Sequence, residues 1–125
     1  MKIFGAIDVG TNSTRLLIAE VQHNQLRTRG FRLQTTRIGQ GMGSSRCLCP
    51  EAIERTLQVL RDYCEELKRI GVDGFRAVAT SAVRESLNPE DLLRGAAQFG
   101  LIIEVITGEE EARLSFNGAT RGLPG

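Results

Sequence analysis

The sequence predicts a mixed α/β domain, a five-stranded sheet flanked by helices, and three observations predict it. Two apolar runs, Ile3–Val9 and Thr14–Val21, stand on either side of a short polar break and read as consecutive strands. The stretch from Pro50 to Ile70 repeats apolar residues at spacings of three and four, the period of an amphipathic helix. Beyond it, strand-like runs alternate with helical ones, the order that yields parallel strands joined by right-handed crossovers.

Taken in order, Ile3–Val9 is the first strand, with Asp8 near its end. Gly10 breaks it, because glycine reaches backbone angles closed to other residues. Thr11, Asn12 and Ser13 follow, and Thr14–Val21 is the second strand. Gln22-His23-Asn24-Gln25 is a polar turn, and His23, the only histidine, reads as a solvated turn residue. Leu26–Ile38 is a third strand carrying Arg27, Arg29, Arg32 and Arg37. Charge of this kind protects an edge strand from pairing with other chains; the functional alternative is contact with an anionic ligand.

Gly39–Ser45 reads as a mobile connection, with a lid as the functional alternative. It is not a P-loop, since no Gly-Lys-Ser/Thr follows, and Ser44 stands where a dinucleotide fingerprint needs its third glycine. The helix Pro50–Ile70 has proline in its first turn and a stripe of Ile53, Leu57, Leu60, Cys64 and Leu67. Glu51–Arg55 and Glu65–Arg69 are spaced as i,i+4 pairs, and Gly71 is a left-handed cap. Gly74–Thr80 is the fourth strand. Asn88 and Pro89 open a helix whose apolar face is Leu92, Leu93, Ala96, Ala97 and Phe99, and Gly100 stops it. Leu101–Ile106 is the fifth strand. Thr107-Gly108-Glu109-Glu110 has capping-box spacing and starts a last helix from about Gly108 to Ala119, before a loop at Gly122–Gly125.

The chain has 125 residues, enough for one domain or part of one. Sixteen basic against fifteen acidic side chains give a formal charge of +1, so no global field draws it to nucleic acid or to an anionic membrane. No apolar run approaches the roughly 20 residues of a membrane span. Met1-Lys2 leads straight into a strand without a signal-peptide pattern. Three cysteines, an odd number, then read as reduced thiols in a cytosolic protein. Cys47 and Cys49 with Cys64 lack an evident fourth metal ligand, and Cys64 reads as a core residue.

The chemistry concentrates on Asp8 to Ser13. A strand–tight turn–strand makes a concave nest of N–H groups suited to phosphate. Asp8 would repel phosphate directly but could hold a divalent cation that bridges to phosphate oxygens. The plainer alternative is an ordinary hairpin turn with a hydrogen-bonded aspartate. Ligands of such sheets lie at the carboxyl ends of the strands. The turn after Val9, the segment Thr80–Arg84 and the start of the last helix should therefore meet.

With these positions in hand, the chain resembles the N-terminal part of the exopolyphosphatase / guanosine pentaphosphate phosphatase family. That family has the ribonuclease H-like, actin-like ATPase fold. Asp8-Val9-Gly10-Thr11-Asn12-Ser13 is similar to the family's first phosphate loop, and Thr80-Ser81-Ala82-Val83-Arg84-Glu85 to its Thr-Ser-Ala-x-Arg-Glu segment. Thr107-Gly108-Glu109-Glu110-Glu111-Ala112-Arg113 is similar to its Gly-x-Glu-Glu-Ala-Arg segment. Cys49-Pro50-Glu51-Ala52-Ile53 resembles a helix start in which Cys49 replaces a capping serine.

The resemblance implies a cytoplasmic hydrolase that releases terminal phosphate from inorganic polyphosphate or guanosine pentaphosphate with Mg²⁺. Gly10, Thr11, Asn12 and Ser13 would cradle phosphoryl oxygens, Asp8 would hold Mg²⁺, and Arg84 would clamp phosphate. Glu111 would orient the attacking water. Arg84 could instead form a surface salt bridge with Glu85 or Glu90. Chemistry alone does not choose among Glu109, Glu110 and Glu111, which all suit a helix N-terminus. The family's second phosphate loop and second domain lie beyond residues 1–125, so the chain reads as an incomplete N-terminal subdomain, inactive alone, of a protein that is a homodimer at full length. The rivals are an acetate- or sugar-kinase-like phosphotransferase of the same superfold and a non-catalytic alarmone-binding domain.

Overall fold

The structure, a computed structural model, describes residues 1–110. Three strands come first: β1 (Lys2–Val9), β2 (Ser13–Gln22) and β3 (Gln25–Thr35). They are followed by α1 (Pro50–Ile70), β4 (Gly74–Ala79), α2 (Ser81–Glu85), α3 (Pro89–Ala97) and β5 (Ile103–Val105). The sheet order is β3-β2-β1-β4-β5. β1 pairs antiparallel with β2, and β2 with β3. β4 runs parallel to both β1 and β5. This is the five-stranded mixed sheet the pattern predicts, with β2 as its one reversed strand and the pairing changing from antiparallel to parallel at β1.

Alternation along the strands sorts the two faces. Ile7 and Val9, Leu16 and Ile18, Ala77 and Ala79, and Ile103 are buried in one core with Leu57, Leu60 and Leu67 of α1 and Leu92 and Ala96 of α3. A row of the other face runs Leu33, Arg15, Asp8, Val78 and Glu104 across the five strands. α1 lies very close to β1: a Cβ on Gly5 would stand 2.5 Å from Leu67 Cδ2, so only glycine fits under that helix without a shift.

The hairpin between β2 and β3 turns on His23 and Asn24, both at positive φ (54° and 63°). This is the two-residue turn whose twist suits a hairpin, and His23 is exposed there, as the sequence suggests. β3 is an edge strand. Its Arg27 and Arg29 lie 4.0 and 3.7 Å from Glu20, and Arg32 lies 2.9 Å from Glu66 on α1.

Several local expectations need correction. β3 ends at Thr35 rather than Ile38, because the chain turns at Arg37 (φ +49°) and its N–H groups leave the ladder. β5 is three residues, shorter than Leu101–Ile106. The segment after Thr80 is a short helix, α2, too brief to leave a period in the sequence. On α1 the buried face is Ala52, Thr56, Leu57, Leu60, Tyr63 and Leu67, so Ile53 and Cys64 sit at its margin. Burial still pushes the Cys64 thiol upward, with Lys68 opposing.

Arg55 turns from Glu51 and donates to the Thr36 carbonyl (2.7 Å) and Gln40 Oε1 (2.6 Å). Asn88 makes no side-chain cap. Instead its Oδ1 accepts from Leu48 N–H (2.7 Å) and its Nδ2 donates to Leu48 C=O (3.1 Å), clasping the segment before α1. The absence of a cap at Cys49 and the left-handed cap at Gly71 (φ +77°) agree with the sequence reading.

Candidate functional site

The site begins at the carboxyl end of β1. Gly10 N–H donates to Ser13 C=O (2.9 Å) and closes the turn. That bond removes Gly10 from the expected set of N–H donors for a ligand. The carbonyls of the turn point the other way. Asn12 C=O accepts from both Thr36 N–H (3.1 Å) and Arg37 N–H (3.0 Å), and Thr11 C=O from Gly39 N–H (3.3 Å). In a trans peptide the carbonyl of one residue and the N–H of the next point in opposite directions. Tying the Thr11 and Asn12 carbonyls back to residues 36–39 therefore turns the Asn12 and Ser13 N–H groups outward. Successive outward N–H groups beside small side chains are the elements from which anion-binding nests are built.

The neighbouring strand ends join this turn. Thr11 Oγ1 lies 2.8 Å from Ser81 Oγ at the start of α2. Thr80 N–H donates to Val9 C=O (3.1 Å), and Ile106 N–H to Ala79 C=O (3.1 Å), extending the ladder past the strand ends. Arg84 Nη1 donates to Ile106 C=O (2.9 Å), while Nε reaches Glu85 Oε1 (3.3 Å). The Glu85 ion pair expected as the alternative for Arg84 is thus present, and two of its donors already hold protein acceptors. The turn after Val9, α2 and the approach to the last helix do meet, as topology predicts.

At residues 107–110 the capping box forms. Glu110 N–H donates to Thr107 Oγ1 (3.0 Å), and Thr107 N–H to Glu110 Oε1 (3.3 Å). A helix begins at residue 108. The Glu110 carboxylate is therefore turned back onto its own helix end. Glu111 lies outside the described residues.

Asp8 sits two residues before the turn, facing Arg15 across β2 and Val78 across β4, with its Oδ1 atom buried. Among the described residues no group of three His, Cys, Asp or Glu side chains could hold a metal. The donor set suits a cation of another kind: Mg²⁺ uses one or two carboxylates and takes its remaining oxygens from phosphate and water. One carboxylate beside a turn that could take an anion fits that mode.

The supports of the turn escaped sequence reasoning. Gly39 packs against it so closely that a Cβ would stand 2.9 Å from Thr11 Cγ2 and 3.4 Å from Ala82 Cβ. Gly39 lies in a glycine run, and nothing in that run marks one glycine as packed. The start of the supposed mobile connection is thus a fixed support: Thr36 and Ile38 are both fully buried. Tyr63 on α1 donates to Thr14 C=O (2.9 Å), and Thr14 Oγ1 lies 2.7 Å from Thr36 Oγ1. Burial, then Glu66, raises the Tyr63 phenol's pKa, against Arg32. Among the described residues no helix is long and apolar enough to cross a membrane.

A profile of the Ppx/GppA phosphatase family matches residues 7–125. Exopolyphosphatase 2 of Mycobacterium tuberculosis is 45% identical over 94% of this chain and 40% of its own length. The crystal structure of the Aquifex aeolicus member of the Ppx/GppA family superposes with a TM-score of 0.91 at 33% identity, covering 98% of this chain and 40% of that one. An exopolyphosphatase from Cytophaga hutchinsonii gives 0.89 at 31% identity, over 94% of this chain and 38% of its own. The chain thus spans about 40% of the length of the curated relatives it matches.

Proposed function

The chain belongs to the Ppx/GppA phosphatase family and has its actin-like α/β fold, and on that premise we propose that the whole protein hydrolyses the terminal phosphoanhydride of inorganic polyphosphate or guanosine pentaphosphate. The observation that carries this reading is the turn whose carbonyls are held from behind, leaving the Asn12 and Ser13 N–H groups outward beside Thr11, Ser81 and Arg84. Phosphoryl transfer to water needs charge neutralisation, in-line alignment and a group that orients the water. Asn12 and Ser13 supply N–H donors, with the Thr11 side chain at the rim. Arg84, its guanidinium plane fixed by the Ile106 carbonyl, supplies a cation that meets phosphate oxygens in a planar fork.

Asp8 is the residue that would hold Mg²⁺, which when bound neutralises phosphate charge. Glu111 orients the attacking water and takes its proton. Glu110 is engaged in the capping box, which favours its neighbour for that role. Completing the site from the far side falls to the rest of the protein.

The test is Glu111→Gln in the full-length protein. Gln keeps size but cannot accept a proton, so turnover should fall by about 10²–10⁴-fold, the usual contribution of a general base, with KM little changed. Glu109→Gln and Glu110→Gln share the helix-terminal electrostatics and serve as controls. Equal losses in all three would show that the acids act only through local charge and would sink the assignment.

A further inference from the structure

Arg55 stands on α1, yet its hydrogen bonds all go to one segment outside that helix. Nε donates to Thr36 C=O at 2.7 Å and Nη2 to Gln40 Oε1 at 2.6 Å, with Arg37 C=O 3.5 Å from Nη2. The residue is half-buried, and among the described residues it makes no ion pair with a carboxylate. Its charge is therefore directed at the oxygens of residues 36–40. That segment is the one whose N–H groups hold the Thr11 and Asn12 carbonyls.

The connection runs through two peptide groups. The Thr36 carbonyl and the Arg37 N–H belong to one of them. Its oxygen accepts from Arg55, and its N–H, on the opposite side of the plane's axis, donates to Asn12 C=O at 3.0 Å. The Asn12 carbonyl in turn shares a peptide group with the Ser13 N–H, which points away from it. Arg55, the 36–37 peptide and the 12–13 peptide thus form one head-to-tail line. The guanidinium is at its tail and the Ser13 N–H at its head. Thr36, in the middle, is fully buried. Hydrogen bonds joined in such a chain polarise one another, and more strongly where water is excluded. A cation at the tail draws electron density from each carbonyl and leaves each N–H ahead of it a better donor.

Resting on the reading of the turn as a phosphate site, we infer that Arg55 is a positioning residue of the reaction: it fixes the 36–37 peptide behind the turn and polarises the Ser13 N–H toward the anion. It lies on the carbonyl side of the turn and acts through the backbone, without touching substrate. Donors fixed in advance and aimed at phosphoryl oxygens stabilise the charge of the transition state without having to reorganise. A guanidinium serves this place better than a single-point donor, because it meets Thr36 and Gln40 together and so fixes both ends of the segment.

The experiment compares Arg55→Met, Arg55→Lys and Arg69→Gln in the full-length protein, assayed well below the lowest thermal midpoint of the set. Methionine keeps an apolar stem without donors or charge, and lysine keeps the charge. Arg69 is exposed near the far end of the same helix, so its loss changes net charge alone. Arg55→Met should lose on the order of tenfold in kcat/KM for polyphosphate. Arg55→Lys should recover part of that loss, and Arg69→Gln should match wild type. A purely structural arginine would lower the thermal midpoint but leave the kinetics of the folded protein alone. Wild-type kcat/KM in folded Arg55→Met, an equal fall in Arg69→Gln, or lysine no better than methionine overturns the inference. Arg55→Gln, neutral with one amide donor, replaces the methionine variant if that protein does not fold, with the same expected loss. If the wild-type protein releases phosphate from neither substrate, the hydrolase reading fails by itself. Binding of inorganic phosphate by calorimetry then decides on Arg55 alone: a weaker Kd in Arg55→Met than in Arg55→Lys and wild type supports it, and an equal Kd, or no wild-type binding, refutes it.

Discussion

Gly39→Ala isolates the support of the turn proposed to bind phosphate. The added Cβ would lie 2.9 Å from Thr11 Cγ2, 3.4 Å from Ala82 Cβ and 3.7 Å from Thr11 O. Carbon atoms prefer separations of roughly 3.5–4.0 Å, so the contact must open by about 0.6–1 Å. Neither partner can yield without loss. Moving Gly39 stretches its N–H bond to Thr11 C=O, already 3.3 Å, and moving Thr11 pulls its hydroxyl off Ser81 at 2.8 Å. Overpacking of this size costs about 1–3 kcal/mol of stability. A misplacement near 1 Å can cost about 10²-fold in rate. We therefore predict that full-length Gly39→Ala stays folded, melts a few degrees lower and loses on the order of 10²-fold in kcat/KM for polyphosphate. Gly30→Ala is the control, since its Cβ meets Ile18 alone, at an ordinary 3.7 Å from Cδ1 and 3.9 Å from Cβ. Wild-type kinetics in a folded Gly39→Ala protein would refute the claim that this segment sets the position of the turn.

Two further outcomes follow from the same geometry. Asp8→Asn should weaken Mg²⁺ dependence and turnover together while leaving the thermal midpoint near wild type; an unchanged Mg²⁺ titration would return Asp8 to a purely structural role. Tyr63→Phe removes a buried hydrogen bond to the Thr14 carbonyl and should cost about 0.5–1.5 kcal/mol in chemical denaturation. Because the folded phenol's pKa is raised, chiefly by burial, the tyrosine's stabilisation is complete below its ordinary value of about 10 and is lost as pH rises through the higher folded value. The wild-type advantage over Tyr63→Phe should therefore shrink in strong alkali, and an advantage that grows there would contradict the burial argument.

The sheet was legible because its signals are local. Apolar runs mark β1, β2 and β4, and an uninterrupted period marks α1. The Thr107–Glu110 box was legible for the same reason, since both partners lie within one turn. What escaped depends on contacts distant in sequence. Arg55 has Glu51 at pairing distance along its own helix, yet it bonds to Thr36 and Gln40 on another segment. Asn88 has the chemistry of a cap, yet spends its amide on Leu48, forty residues away. Gly10 has the look of an N–H donor for phosphate, but the turn uses that N–H to close itself on Ser13 C=O. For Gly39, flexibility and tight packing demand the same residue, and sequence does not separate them. Glu111 lies outside the described residues, so its role rests on family register and on the engagement of Glu110.

The backward anchoring of the turn also decides when its disorder is lost. Fixing the backbone of one residue removes entropy worth roughly 1–2 kcal/mol. For a turn the length of residues 10–12 that is roughly 3–6 kcal/mol. Here the Thr11 and Asn12 carbonyls are already held by Thr36, Arg37 and Gly39, and the Ser81 hydroxyl holds the Thr11 side chain. The ordering penalty is thus met once, during folding, by burial of Thr36 and Ile38 in the core. On the function proposed above, an incoming phosphate would find the turn in place and lose none of its binding free energy to arranging it. That free energy would remain for aligning the phosphoryl group with its water.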